Sequence, residues 1–202
     1  MEIAVKDVTF NAHDVVLHTS TRKSPIVVNL FGPPGAGKST GAAQIFADLK
    51  KAGINAELIT EYPKDKTWEK NLAALSCQEY IFGKQSFRMS RCRDQVEVLV
   101  TDSPLPLSLI YNKNPALDYS FQNVVLNIFN TYANMNYYIK RVKPYNPKGR
   151  NQTEAESDAL NEPIKALLSD CCIPYKTVDG DDGGYKSIVS DVIKAIEEDY
   201  EI

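Results

Sequence analysis

Apolar positions along this chain follow two rhythms in turn, short continuous runs and one-face helical spacings. "PIVVNLF" (25–31) is β-branched and almost unbroken in its apolarity, which predicts a parallel strand buried on both faces. Ala42, Ile45, Phe46 and Leu49 then recur on one helical face, and Gly53 closes that helix. "NAELIT" (55–60) predicts a second strand leading to Glu61, after which Pro63 is expected to block immediate helix. Thr67 reads as the N-cap of a long helix with Trp68, Leu72, Leu75 and Phe82 on its inner face. "VEVLVTD" (96–102) is the third strand; Pro104 and Pro106 open a short helix through Leu109 and Tyr111, and another covers Phe121 to Asn130.

"MNYYIKRV" (135–142) predicts a fourth strand, followed by a loop rich in Lys, Pro, Asn and Gly. Thr153 with Glu156 makes a capping-box pattern, and Pro163 must kink or split the helix that follows. "PYKTV" (174–178) is the fifth strand, and Ile188, Val189, Val192, Ile193 and Ile196 line the closing helix. Residues 1–24 form an N-terminal extension in which Ile3, Val5, Val8 and Phe10 hint at short strands; 25–202 is read as one domain. Strands alternating with helices imply an α/β fold, a parallel sheet covered on both faces with ligands at the carboxyl ends of the strands.

Composition narrows the function little. The 202 residues suffice for one domain with a real core, and 23 basic against 26 acidic residues leave a net charge of −3. That balance argues against a surface that grips nucleic acid throughout. No run reaches transmembrane length and the N-terminus lacks a signal-peptide layout, so a cytoplasmic protein without membrane partners is expected. Cys77, Cys92, Cys171 and Cys172 form no Cys-x-x-Cys pair, and with only His13 and His18 present there is no metal-ligand grouping; free thiols are expected.

The candidate chemistry begins between the first strand and first helix. Gly32-Pro33-Pro34-Gly35-Ala36-Gly37-Lys38-Ser39, followed by Thr40, matches G-x-x-x-x-G-K-[ST] in the right context. Wrapping backbone N–H groups around phosphate oxygens demands glycine's freedom, while the prolines limit how far the loop wanders. Lys38 should meet the β- and γ-phosphates of ATP, and the Ser39 hydroxyl should bind Mg²⁺. Asp102, ending the third strand, is the natural second partner for that ion.

Three classes of protein share such a loop. A remodelling ATPase places a glutamate straight after the strand-end aspartate, but Asp102 is followed by Ser103 and Pro104. A common GTPase carries Asn-Lys-x-Asp, and the nearest stretch here, Asn112-Lys113-Asn114-Pro115, ends in proline. A kinase needs an acceptor site and cations over the transferring group. "KRVKPYNPKGRNQ" (140–152) supplies Lys140, Arg141, Lys143, Lys148 and Arg150 without an acid among them.

"LFGPPGAGKST", "ITEYPKD", "QEYIFGKQ", "VTDSPLPLSLIY", "KPYNPKGRNQTEAES" and "IPYKTVDGD" resemble segments of small P-loop kinase-type proteins common in tailed-phage genomes. That group is described as AAA-family or ATP-binding and is similar to nucleoside and nucleotide kinases; the resemblance runs from about Pro25 to the C-terminus. It implies a three-layer fold with a five-stranded parallel sheet, a closing lid near 141–152, and a host-cell cytoplasmic setting if the chain is phage-encoded. Glu61, Pro63 and Trp68 resemble the nucleoside-kinase glutamate with its proline and tryptophan, although Tyr62 intervenes.

The resemblance makes Glu61 the group that takes or orients the acceptor hydroxyl's proton. Against this stands a structural ion pair between Glu61 and Lys64 or Arg88. Arg141 and Arg150 are the preferred transition-state cations, because a guanidinium bridges two phosphate oxygens. Gln78, Gln85 and Arg88 share one helical face, where Gln78 could read a base edge and Arg88 could bind the acceptor. Tyr62, Trp68 and Tyr80 are stacking candidates for which core packing is the simpler reading. The "DGDDGG" turn (179–184) is expected near the adenine.

The reading that results is an ATP- and Mg²⁺-dependent phosphotransferase acting on a nucleoside or nucleoside monophosphate. Glu61 favours a hydroxyl acceptor; Arg88, Arg91 and Arg93 favour a phosphate. Hydroxymethyl pyrimidines in modified phage DNA are a third acceptor, and a slow ATP-binding switch without an acceptor pocket is the rival from another class.

Overall fold

The computed structural model describes residues 24–117, 119–147 and 152–200. Five parallel strands, β1 (Ile26–Phe31), β2 (Ala56–Ile59), β3 (Val98–Thr101), β4 (Ala133–Lys140) and β5 (Lys176–Asp179), form one sheet in the order β2-β3-β1-β4-β5. Nine helices connect or follow the strands among the described residues. They are α1 (Lys38–Lys51), α2 (Tyr62–Trp68), α3 (Leu72–Ser76), α4 (Gln78–Ser90) and α5 (Leu107–Tyr111), then α6 (Tyr119–Phe129), α7 (Glu154–Asp158), α8 (Asn161–Asp170) and α9 (Asp182–Tyr200).

The five strands predicted from Pro25 onward are therefore present, and their alternation dictates the layers. In β1, Val27 and Phe31 face a core completed by α4, α5, α6 and α8, through Phe82, Met89, Leu107, Phe121, Val125 and Leu168. Val28 and Leu30 face the opposite core, built with α1 and α9 from Ile45, Leu49, Tyr185, Ile188 and Val192. A strand buried on both faces must be apolar on both, as the continuous run of β1 required. Its exception is Asn29, fully buried, whose amide donates to the Asn134 and Asn136 side-chain oxygens of β4 at 2.9 and 3.0 Å.

Local signals fared unevenly. Gly53 (φ +83°) follows the α1 C-cap at Ala52, as expected. The Thr153–Glu156 capping box is present in full, and Pro163 lies in the first turn of α8, after the break that separates it from α7. The long helix from Thr67 is corrected to three short ones, with Thr67 inside α2. Lys70 takes a left-handed conformation (φ +54°) and Asn71 caps α3, accepting from the Ala74 N–H; Cys77 separates α3 from α4. Trp68 and Leu72, expected inside, are 65% and 76% exposed as a result. Pro63 does not delay the helix either: it sits in the first turn of α2, where a missing N–H costs nothing.

The expected strands before residue 24 lie outside the described residues. All four cysteines are free, no described helix is long and apolar enough to cross a membrane, and no metal-holding cluster of His, Cys, Asp and Glu occurs among the described residues.

Because β3 and β4 flank β1, the loop after β1 emerges where the strand order reverses, the place where such sheets open a crevice. The helix that follows, α1, is pinned by α9, its neighbour on the same face of the sheet. Tyr185 of α9, 1% exposed, lies so close to Gly41 that a Cβ there would overlap its ring. Alanine for glycine ordinarily strengthens a helix by about 1 kcal/mol, but overpacking costs about 1–3 kcal/mol. Gly41→Ala should therefore lower the urea midpoint with an unchanged slope; an unchanged or higher midpoint would mean that the Tyr185 ring yields.

Candidate functional site

Residues 32–37 carry three of the chain's left-handed glycines, Gly32 (φ +138°), Gly35 (φ +82°) and Gly37 (φ +106°). A Cβ at Gly32 would stand 2.9 Å from the Ile139 carbonyl oxygen, so the loop is pressed against β4. Four of its carbonyls are occupied by donors from the protein itself. Lys38 Nζ donates to the carbonyls of Gly32 (2.7 Å) and Pro33 (3.0 Å), Ser157 Oγ to that of Pro34 (2.6 Å), and Tyr185 Oη to that of Gly37 (3.0 Å). The N–H groups of Gly35, Gly37 and Ser39 donate to no described residue. Such an arrangement of amides at a helix N-terminus is suited to an anion with several oxygens.

The loop forms one wall of a cavity of about 670 Å³, whose lining includes Gly35, Gly37, Lys38, Ser39 and Thr40. Glu61, Gln78 and Asp102 line the same cavity, with Ile81, Phe82, Leu107 and Tyr111 adding apolar surface. Each arrives on an element fixed by the sheet: Asp102 directly after β3, Glu61 in the turn between β2 and α2, Gln78 at the start of α4. Gln152, at the end of the expected lid, also lines it.

Asp102 is 5% exposed, and its Oδ1 has no hydrogen-bond partner among the described residues. A buried carboxylate oxygen left alone is costly unless a cation or donor arrives. With the Ser39 hydroxyl on the same cavity, the donor set suits a hard divalent cation such as Mg²⁺. Tyr111 senses the other carboxylate: its phenol is pushed up by burial first and by the negative charge of Glu61 second.

Other expected site residues are engaged elsewhere. Arg88 does not line the cavity. Its Nη1 donates to the Thr60 carbonyl (3.1 Å) and its Nη2 pairs with Asp65, while the guanidinium lies 5.1 Å from the Tyr62 ring centre. The ion pair weighed for Glu61 with Arg88 is thus made by Asp65 instead. Gln85 also lines the cavity but is 3% exposed, its Oε1 accepting from the Tyr62 N–H at 2.9 Å and its Nε2 facing Thr101 Oγ1, so its amide is committed to the protein. Gln78 keeps a place on the cavity, its Nε2 donating to the Leu75 carbonyl at 3.0 Å. Tyr62 is buried and bonded to Tyr80 Oη at 2.6 Å, as core packing required.

Arg93 sits at the opposite end of the sheet, donating to the Thr131 carbonyl at 2.6 Å ahead of β4. Arg91 also lies off the cavity. Arg141 is held by Asp158 (2.5 Å) and Glu154 (3.2 Å), and borders a separate hollow of about 370 Å³ beside Pro33. The basic loop holds no acid, but α7 brings two to it. Arg150 lies outside the described residues.

Ser157, Tyr185 and Tyr111 were not anticipated. Ser157 and Tyr185 meet the loop from 123 and 148 residues away; Ser157 ends the segment "KPYNPKGRNQTEAES", but nothing in that segment marks its hydroxyl for the loop, and Tyr185 lies in none of the quoted segments. For Tyr111 the only hint was its place in the short helix after Asp102.

The AAA domain family matches residues 27–183 of the chain. No curated protein matches it. Among solved structures, the crystal structure of APE1195 is similar at a TM-score of 0.45 and 20% identity, over 87% of this chain and 97% of that one.

Replacing Asp102 by Asn removes a buried carboxylate whose Oδ1 has no hydrogen-bond partner among the described residues. The ligand-free variant should melt higher, by an amount on the order of 1 kcal/mol, and should lose the Mg²⁺-dependent part of ATP affinity. A lower melting point with ion dependence intact would remove Asp102 from the cation site.

Proposed function

The chain belongs to the AAA domain family of P-loop nucleotide-binding proteins, and from that premise we propose that it transfers the γ-phosphoryl group of ATP to the hydroxyl of a small acceptor, a (deoxy)nucleoside. The observation that carries this reading is the continuity of the cavity. A polyphosphate held at Lys38 and Ser39 occupies one end, and the space bordered by Glu61, Gln78, Phe82, Leu107 and Tyr111 remains for a second molecule. A nucleotide-binding switch needs no such chamber.

The roles follow from position. Loop amides and the Lys38 ammonium hold the triphosphate tail, so that charge developing on the β–γ bridge is neutralised by groups already in place. Ser39 and Asp102 would hold Mg²⁺, which when bound draws charge from the β- and γ-oxygens. Glu61 accepts the proton of the acceptor hydroxyl, whose oxygen forms the new bond to phosphorus while the bond to the β-phosphate oxygen breaks and ADP leaves.

Distribution of arginine supports a neutral acceptor over a monophosphate. Arg88, Arg91 and Arg93, the sequence's case for a phosphorylated acceptor, all lie off the cavity, and Arg88 and Arg93 are tied to other groups. Lys64 and Lys113 are the cations at its border beyond the loop among the described residues, and both are exposed.

Incubation with γ-labelled ATP and Mg²⁺ against nucleosides, nucleoside monophosphates and hydroxymethyl-pyrimidine DNA tests the reading. Label is expected on a nucleoside. Label on a monophosphate or on DNA would overturn the acceptor class, and label only in free phosphate would favour the switch. Lys38→Ala should reduce transfer at least 100-fold with the fold retained by circular dichroism; retained transfer would contradict the assignment of the phosphate site.

A further inference from the structure

Two side chains on one face of α4 grip the backbone immediately before and after Glu61. Arg88 Nη1 donates to the carbonyl of Thr60 at 3.1 Å, and its Nη2 pairs with Asp65, one turn into α2. Gln85 Oε1 accepts the N–H of Tyr62 at 2.9 Å. Residues 85 and 88 are three apart on a helix and so project together. Glu61 is left between two fixed peptide groups, with its neighbours tied to a helix that packs into the core through Phe82 and Met89.

Gln85 also reaches the second carboxylate. Since its oxygen is committed to the Tyr62 N–H, its Nε2 faces Thr101, with Oγ1 at a long 3.5 Å. Thr101 Oγ1 in turn accepts from the Ser103 N–H at 3.1 Å, closing the turn that holds Asp102. One buried amide therefore spans the ends of β2 and β3, each bearing one of the acids on the cavity.

We infer that Gln85 and Arg88 are positioning residues that set Glu61 against Asp102 across the cavity, Gln85 from its wall and Arg88 from behind it. Their effect on rate rests on the phosphotransfer reading, but their hold on Glu61 does not. Arg88 thereby exchanges an acceptor-binding role for a supporting one. A displacement of about 1 Å at such a carboxylate is enough to lower transfer roughly 100-fold. Gln85→Leu strands the buried Tyr62 N–H, Gln85→Glu keeps an oxygen to receive it, and Arg88→Lys keeps charge but loses the fork that joins Thr60 to Asp65.

The test uses a readout from the resting protein, without ATP or acceptor. Tyr111 ionisation is followed by NMR on ring-labelled protein in the wild type, Glu61→Gln, Gln85→Leu, Gln85→Glu and Arg88→Lys. The charge of Glu61 raises the Tyr111 pKa, so Glu61→Gln should lower it. Gln85→Leu and Arg88→Lys should move it in the same direction, and Gln85→Glu should move it less than Gln85→Leu. Should Gln85→Leu fail to fold, Arg88→Lys carries the test.

A Tyr111 titration that shifts in Glu61→Gln but not in the α4 variants overturns the inference, as does one that ignores Glu61→Gln. In transfer assays on an accepted nucleoside, the α4 variants should lose kcat about 10–100-fold with ATP affinity within about twofold, and adding Gln85→Leu to Glu61→Gln should cost nothing more. Equal losses of ATP affinity and kcat would mean general destabilisation and would also overturn it. A shift of Tyr111 in a protein that phosphorylates nothing would uphold the positioning and dismiss the kinase.

Discussion

The site depends on keeping the loop's carbonyl oxygens occupied. A backbone segment offers acceptors as readily as donors, and a polyphosphate is repelled by the former. Here the carbonyls of Gly32, Pro33, Pro34 and Gly37 are taken by Lys38, Ser157 and Tyr185, which arrive from the loop's own helix, from α7 and from α9. The amides of Gly35, Gly37 and Ser39 are left to a ligand. The ordering is done by covalent prolines and by side chains anchored in the core, so little of it remains for the nucleotide to impose.

The same constraint explains several residues that carry no chemistry. Gly41 cannot bear a Cβ because the Tyr185 ring fills its place, and a Cβ at Gly180 would strike the Ala36 carbonyl oxygen. The "DGDDGG" turn is thus a backstop to the phosphate loop. Around the cavity the second constraint is electrostatic. Asp102 is buried with one oxygen unpartnered, which a core selected for stability alone would not keep.

What the sequence disclosed was what is settled by neighbours in the chain. The five strands, the phosphate loop, the Thr153–Glu156 box and the break just ahead of Pro163 each depend on a few adjacent residues, and each was legible. The course from Thr67 to Phe82 was not. Its apolar spacing resembles one helix, but the left-handed Lys70, the Asn71 cap and Cys77 divide it, leaving Trp68 and Leu72 outside. The duties of Arg88, Gln85 and Arg141 were hidden for a different reason. A guanidinium or an amide on a helix serves whatever group the fold brings to it, and Thr60, Tyr62, Asp65 and Asp158 are brought there by tertiary packing.

A crystal structure with Mg²⁺ and a non-hydrolysable ATP analogue tests the prepared loop most directly. The triphosphate should lie against the amides from Gly35 to Thr40. The Lys38 ammonium should leave the Gly32 and Pro33 carbonyls for phosphate oxygens, while the Ser157–Pro34 and Tyr185–Gly37 bonds persist and the loop backbone moves less than about 1 Å. A loop that breaks those two bonds and refolds around the ligand, or a triphosphate bound elsewhere, would contradict it.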